Sequence, residues 1–101
     1  MKISFTSVAI DIFHYGHLRL LEQAKKIADY HICGLYSDDL CLKWNGNLIM
    51  NYSERATILE ALSCVDEIIE QQELDPTSNL KLIHNKYPDA KIIFFRCRRR
   101  L

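Results

Sequence analysis

Strand-like and helix-like segments alternate along this chain, and that order constrains its fold more than any other feature. Residues 3–8 read as a strand. Residues 17–28 repeat apolar side chains at helical spacing, with Leu18, Leu21, Ala24 and Ala28 on one face. Asp29 breaks that helix. A second run at 30–36 is apolar enough to be buried on both sides. Residues 37–52 read as a loop around Asn45-Gly46-Asn47. Ser53 then reads as an N-cap, with Glu54 well placed at the positive helix end and Ile58, Leu59 and Leu62 buried. A third strand is expected at 65–69. Asp75-Pro76 predicts the start of a third helix, with Leu80, Ile83 and Tyr87 inward, and a fourth strand follows at 91–95.

The predicted order βαβαβαβ implies an α/β, Rossmann-like parallel sheet with helices on both faces, because parallel strands need crossovers long enough for a helix. Such sheets bind ligands beyond the carboxyl ends of their strands. One domain over residues 1–95 is expected, with 96–101 as a basic tail outside the fold. That tail holds four of the chain's arginines in five positions, Arg96, Arg98, Arg99 and Arg100, and reads as a solvated end. Thirteen basic residues balance thirteen acidic ones, so no general attraction to nucleic acid or anionic membrane is expected. No window approaches a membrane span, and Met1-Lys2 opens no uninterrupted apolar leader. Cys33, Cys41, Cys64 and Cys97 form no C-x-x-C pair; Cys33 and Cys64 fall in apolar runs, and free thiols fit a cytoplasmic home.

The densest chemistry lies where the first strand hands over to the first helix, Asp11-Ile12-Phe13-His14-Tyr15-Gly16-His17-Leu18. With the helix starting near His17, this residue stands at the positive dipole end beside unpaired N–H groups. Gly16 lets a phosphate approach the backbone without a β-carbon in the way. Two imidazoles at such a helix end suit charge stabilisation on a phosphorus under in-line attack. Two other readings stay open on the residues alone. Asp11, His14 and His17 have chemistry that binds zinc, and the histidines also suit a polar helix cap.

Residues 11–30 resemble the cytidylyltransferase family, within the wider H-x-G-H nucleotidyltransferase superfamily. The resemblance continues through Tyr36-Ser37-Asp38-Asp39, Tyr52-Ser53-Glu54-Arg55 and Val65-Asp66-Glu67-Ile68-Ile69. The segment Gln72–Leu80 is similar to a branch fused to phosphonate-pathway enzymes. The resemblance implies an enzyme that joins CTP to a phosphorylated or phosphonylated alcohol or amine, with magnesium accompanying the triphosphate and pyrophosphate released. It implies His14, His17 and Lys43 as the catalytic set, with Ala9, Ile10, Asp11 and Gly16 along the nucleotide phosphates. It also implies Asp38 and Arg55 on the second substrate, and a homodimer. For Lys43 the residues alone leave a solvated loop lysine open; for Arg55 they leave a surface pair with Glu54 or Asp38.

The sequence departs from the family where Gly-Thr-Phe-Asp is usual and Val8-Ala9-Ile10-Asp11 stands, and where Ser63-Cys64 replaces an arginine. A Gly-Asp-Asp-Trp-like turn and an Arg-Thr-x-Gly-x-Ser-Thr-Thr-like motif are not in these 101 residues. A GC-rich codon run for Gly-Asp-Asp-Trp reads Arg-Arg-Leu in a shifted frame, as in Arg99-Arg100-Leu101, so a frameshift origin of the tail is one expectation. These departures also motivate the alternative of a degenerate nucleotide-binding or interaction module.

Overall fold

The computed structural model describes residues 1–95; the expected basic tail at 96–101 lies outside them. The elements run β1 (Lys2–Val8), α1 (Tyr15–Lys26), β2 (Tyr30–Tyr36), α2 (Asp38–Asn45), α3 (Tyr52–Glu60), β3 (Glu67–Gln71), α4 (Thr77–Lys86) and β4 (Lys91–Phe94). The four strands form one parallel sheet in the order β3-β2-β1-β4.

Side-chain alternation along the strands divides the core in two. Ile3 and Phe5 of β1 and Ile32 of β2 pack with Ile83 and Leu80 of α4 on one face. Val8, Cys33 and Leu35 point to the other face, against Leu21 of α1 and Leu59 of α3. The sheet is thus covered by helices on both sides, as the alternating pattern implied. Burial pushes the Cys33 thiol up to about 12, so it behaves as an inert core group. Gly34 belongs to the first face for want of space: a β-carbon there would lie 2.6 Å from Phe5 Cζ and 2.8 Å from Gln71 Oε1.

Four expected boundaries are corrected. The 37–52 segment is not all loop, because α2 occupies its first half. Ser37 caps α2 by accepting from the Leu40 N–H, Asp38 and Asp39 favour its positive end, and Gly46 ends it at φ 81°. The Asn45-Gly46-Asn47 turn signal therefore marks a helix C-terminus. The α3 cap is Asn51, not Ser53: the Asn51 side chain accepts from the Glu54 N–H, and the Glu54 carboxylate accepts from the Asn51 N–H. The third strand starts two residues later than expected, since the ladder with β2 pairs Ile32 with Glu67 through Tyr36 with Gln71. Helix α1 starts at Tyr15, which makes His14 its N-cap and His17 its third residue.

Of the polar side chains inside the sheet, Thr6, His31 and Gln71 are tied off, while the Ser4 hydroxyl is buried without a partner. The Thr6 hydroxyl lies 2.8 Å from His31 Nε2, and His31 Nδ1 lies 2.7 Å from the Cys64 carbonyl. A carbonyl accepts only, so Nδ1 carries the proton and Nε2 accepts from Thr6. Gln71 accepts from Ser7 and donates to the Glu73 and Leu74 carbonyls, fixing the segment after β3 to the end of β1.

Candidate functional site

Strand β1 has β2 on one side and β4 on the other, so the chain builds outward from β1 in both directions. Loops leave such a switch point to opposite faces and open a crevice between them. A cleft of about 460 Å³ lies at the carboxyl end of β1, and its described lining comes from the segments that follow β1 and β2. One wall is the loop after β1, Ala9 to Ile12, with His14 and His17. The other is Trp44, Asn45, Asn47 and Ile49, from the end of α2 and the turn that follows. Of the residues singled out in the sequence, the fold brings Ala9, Ile10, Asp11, His14 and His17 to this cleft. Gly16, Asp38, Lys43 and Arg55 are not on its lining. Lys43 sits in the last turn of α2 with an exposed side chain.

The two histidines are organised by the helix start. His14 Nδ1 accepts from the Gly16 N–H at 3.0 Å, and His17 Nδ1 accepts from the His14 N–H at 3.3 Å. In a neutral imidazole this assigns the ring proton to Nε2 on both residues. The rings stack with centroids 4.0 Å apart, and His17 is buried while His14 is exposed. The expected row of unpaired N–H groups beside His17 is corrected. The Gly16 N–H serves His14 Nδ1, and the His17 and Leu18 N–H groups both reach the His14 carbonyl. The Gly16, His17 and Leu18 amides of this helix start thus have acceptors within the chain.

The loop before them is strained. Ile10 has φ 49°, the one positive φ among the described non-glycine residues, and it is buried. A β-branched residue adopts this conformation at a cost of about 1–3 kcal/mol, sustained only where surrounding contacts over-determine it. Those contacts are present. The Asp11 carboxylate accepts from the Ile49 N–H at 2.9 and 3.0 Å and from the Met50 N–H at 2.8 Å. Arg55 donates to the Ala9 carbonyl at 2.7 Å, the Tyr36 carbonyl at 2.8 Å and the Met50 carbonyl at 3.1 Å. Its remaining arm reaches Asp38 at 2.8 Å. The pair with Asp38 is present, but the expected surface placement of Arg55 is corrected: the side chain is fully buried and its bonds tie the loop after β1, the β2–α2 junction and Met50 together.

This donor set does not fit a resident metal ion. Asp11 is the carboxylate on the cleft, and backbone amides hold both of its oxygens. No group of three or more His, Cys, Asp or Glu comes together as a ligand set among the described residues. Trp44, Asn45, Asn47 and Ile49 are the cleft residues that sequence reasoning missed. The signal for them was Ser37-Asp38-Asp39 followed by Gly46, a cap-to-cap spacing for a two-turn helix.

The family model described as Cytidylyltransferase-like matches residues 9–98. This chain belongs to the cytidylyltransferase-like family. Its match to the glycerol-3-phosphate cytidylyltransferase of Bacillus spizizenii is 40% identical over 72 residues, covering 71% of this chain and 56% of that protein. The corresponding Bacillus subtilis protein is 32% identical over 85 residues, covering 84% of this chain and 66% of the relative. The bifunctional protein HldE of Helicobacter pylori is 38% identical over 93 residues, covering 90% of this chain and 19% of its own length. The chain thus spans about half to two thirds of the first two relatives and about a fifth of the third. A lipopolysaccharide core biosynthesis protein from Thermoplasma volcanium shares the fold, with a TM-score of 0.71 at 19% identity over 100% of this chain and 99% of that one. No helix among the described residues is long and apolar enough to cross a membrane.

Proposed function

We propose that this chain carries the phosphate-handling half of a cytidylyltransferase site, which joins CTP to a small phosphorylated or phosphonylated alcohol or amine. The observation that supports this most is the pair His14 and His17 on the cleft at the carboxyl end of β1, each with Nδ1 accepting from a backbone N–H. In the reaction a phosphate or phosphonate oxygen of the second substrate bonds to the α-phosphorus of CTP. The bond from that phosphorus to the bridging oxygen breaks, and pyrophosphate leaves with the electron pair. The Nε2–H groups stabilise charge on the phosphoryl oxygens; neither ring acts as a nucleophile. Lys43, on an exposed stem, is proposed as a point charge that meets the phosphates from α2. Magnesium enters as part of Mg-CTP, and no residue here is assigned as its ligand. A cytoplasmic homodimer completes this reading.

The test is pyrophosphate release from Mg-CTP with glycerol phosphate, ethanolamine phosphate and aminoethylphosphonate, paired with thermal shift. Release that His14→Ala and His17→Ala each lower by about a hundredfold or more supports the reading. A second reading is favoured by the cleft's chemistry, since its described lining contains no lysine or arginine. A degenerate module would give a CTP-dependent thermal shift with no pyrophosphate release. No shift at millimolar Mg-CTP would remove both.

A further inference from the structure

The contacts around Ile10 form a closed circuit. Arg55 holds the Ala9 carbonyl on one side of Ile10, and Asp11 on the other side holds the Ile49 and Met50 amides. Met50 closes the ring, since its N–H goes to Asp11 and its carbonyl to Arg55. The strained φ of Ile10 is therefore bracketed by two ties, one to buried Arg55 of α3 and one to the Ile49–Met50 turn. We propose that Asp11 is a positioning residue: its carboxylate clamps the β1 loop to the α2–α3 turn and fixes the cleft's width, without touching triphosphate or metal.

Charge supports this assignment. A bare carboxylate facing a triphosphate would repel it. Three N–H contacts from Ile49 and Met50 offset that charge and leave the oxygens directed at the protein's own backbone. The proposal rests on the cytidylyltransferase reading for its ligand, but the clamp can be read without any ligand. Asparagine separates the two roles, because its single carbonyl oxygen can still accept from both amides. It carries no charge for a metal to bind.

The experiment compares wild type, Asp11→Asn and Asp11→Ala by amide hydrogen exchange at Ile49 and Met50, and by Mg-CTP titration. Asp11→Asn is expected to keep both amides protected and to bind Mg-CTP within about threefold of wild type or more tightly, since it removes a repulsive charge. Asp11→Ala is expected to lose the protection and to weaken Mg-CTP binding about tenfold or more, as a freed loop must be ordered on binding. Asp11→Asn binding Mg-CTP tenfold more weakly with its amides still protected would overturn the proposal and make Asp11 a direct ligand. Unchanged exchange at Ile49 and Met50 in Asp11→Ala would overturn it as well. Should Asp11→Ala fail to fold, Asp11→Asn alone decides between the two roles. Should wild type bind no Mg-CTP, the functional reading fails while the exchange comparison still tests the clamp.

Discussion

Replacing Arg55 by methionine should bring the fold close to collapse. Methionine keeps an apolar stem in a fully buried site and removes every donor. The carbonyls of Ala9, Tyr36 and Met50 then lose charged hydrogen-bond partners, each worth about 1.5 kcal/mol or more where water cannot replace it. Asp38 adds little, because its side chain is 41% exposed and water takes over from the guanidinium. The sum is about 3–5 kcal/mol, a large part of the roughly 5–10 kcal/mol expected for a small domain. With an m-value of about 1.5 kcal/mol/M, the urea midpoint falls by roughly 2–3 M. Arg55→Lys should fall between, since one ammonium cannot span four acceptors spread around the guanidinium. Urea unfolding followed by circular dichroism measures this. A loss below about 1 kcal/mol would refute the buried-hub reasoning. A stable variant with weakened Mg-CTP binding would instead return Arg55 to substrate contact.

Three further outcomes follow from the core. Burial holds the His31 imidazole below its ordinary value, against the pull of its Cys64 bond and Asp66, so the unfolded chain binds the extra proton first. His31 therefore contributes fully above about pH 6.5 and loses that contribution as pH falls toward its depressed value; His31→Gln should flatten the stability slope between pH 7 and 5, and an unchanged slope would contradict this. Ser4→Ala should raise stability by about 0.5–1 kcal/mol in urea unfolding, because the Ser4 hydroxyl is buried with no hydrogen-bond partner; a loss of similar size would show an unseen partner. Gly34→Ala should lower the melting temperature, at a cost of about 1–3 kcal/mol, since the new methyl meets the Phe5 ring and Gln71; an unchanged melting temperature would mean that the ring moves freely.

The alternation of apolar runs was enough to determine a parallel α/β sheet, because buried strands and one-sided helices leave distinct periods in the sequence. His14, His17 and the loop after β1 were legible for a local reason: a helix start beside a strand end is written in adjacent residues. The tail at 96–101 was readable as composition alone. The second wall of the cleft was not legible. Trp44 and Ile49 face His14 and His17 across it only because α2 folds back from the neighbouring strand, and no local period records that. The role of Arg55 was hidden for the same reason. A charged residue near a helix start reads as exposed, and only tertiary structure adds the distant Ala9 and Tyr36 carbonyls to the nearby one of Met50 to keep it buried. The sequence alone thus located the two histidines at the start of α1. The packing of distant backbone groups around Asp11 and Arg55 decided the shape of the cleft they face, because hydrogen bonds between segments 38 to 46 residues apart depend on the whole fold.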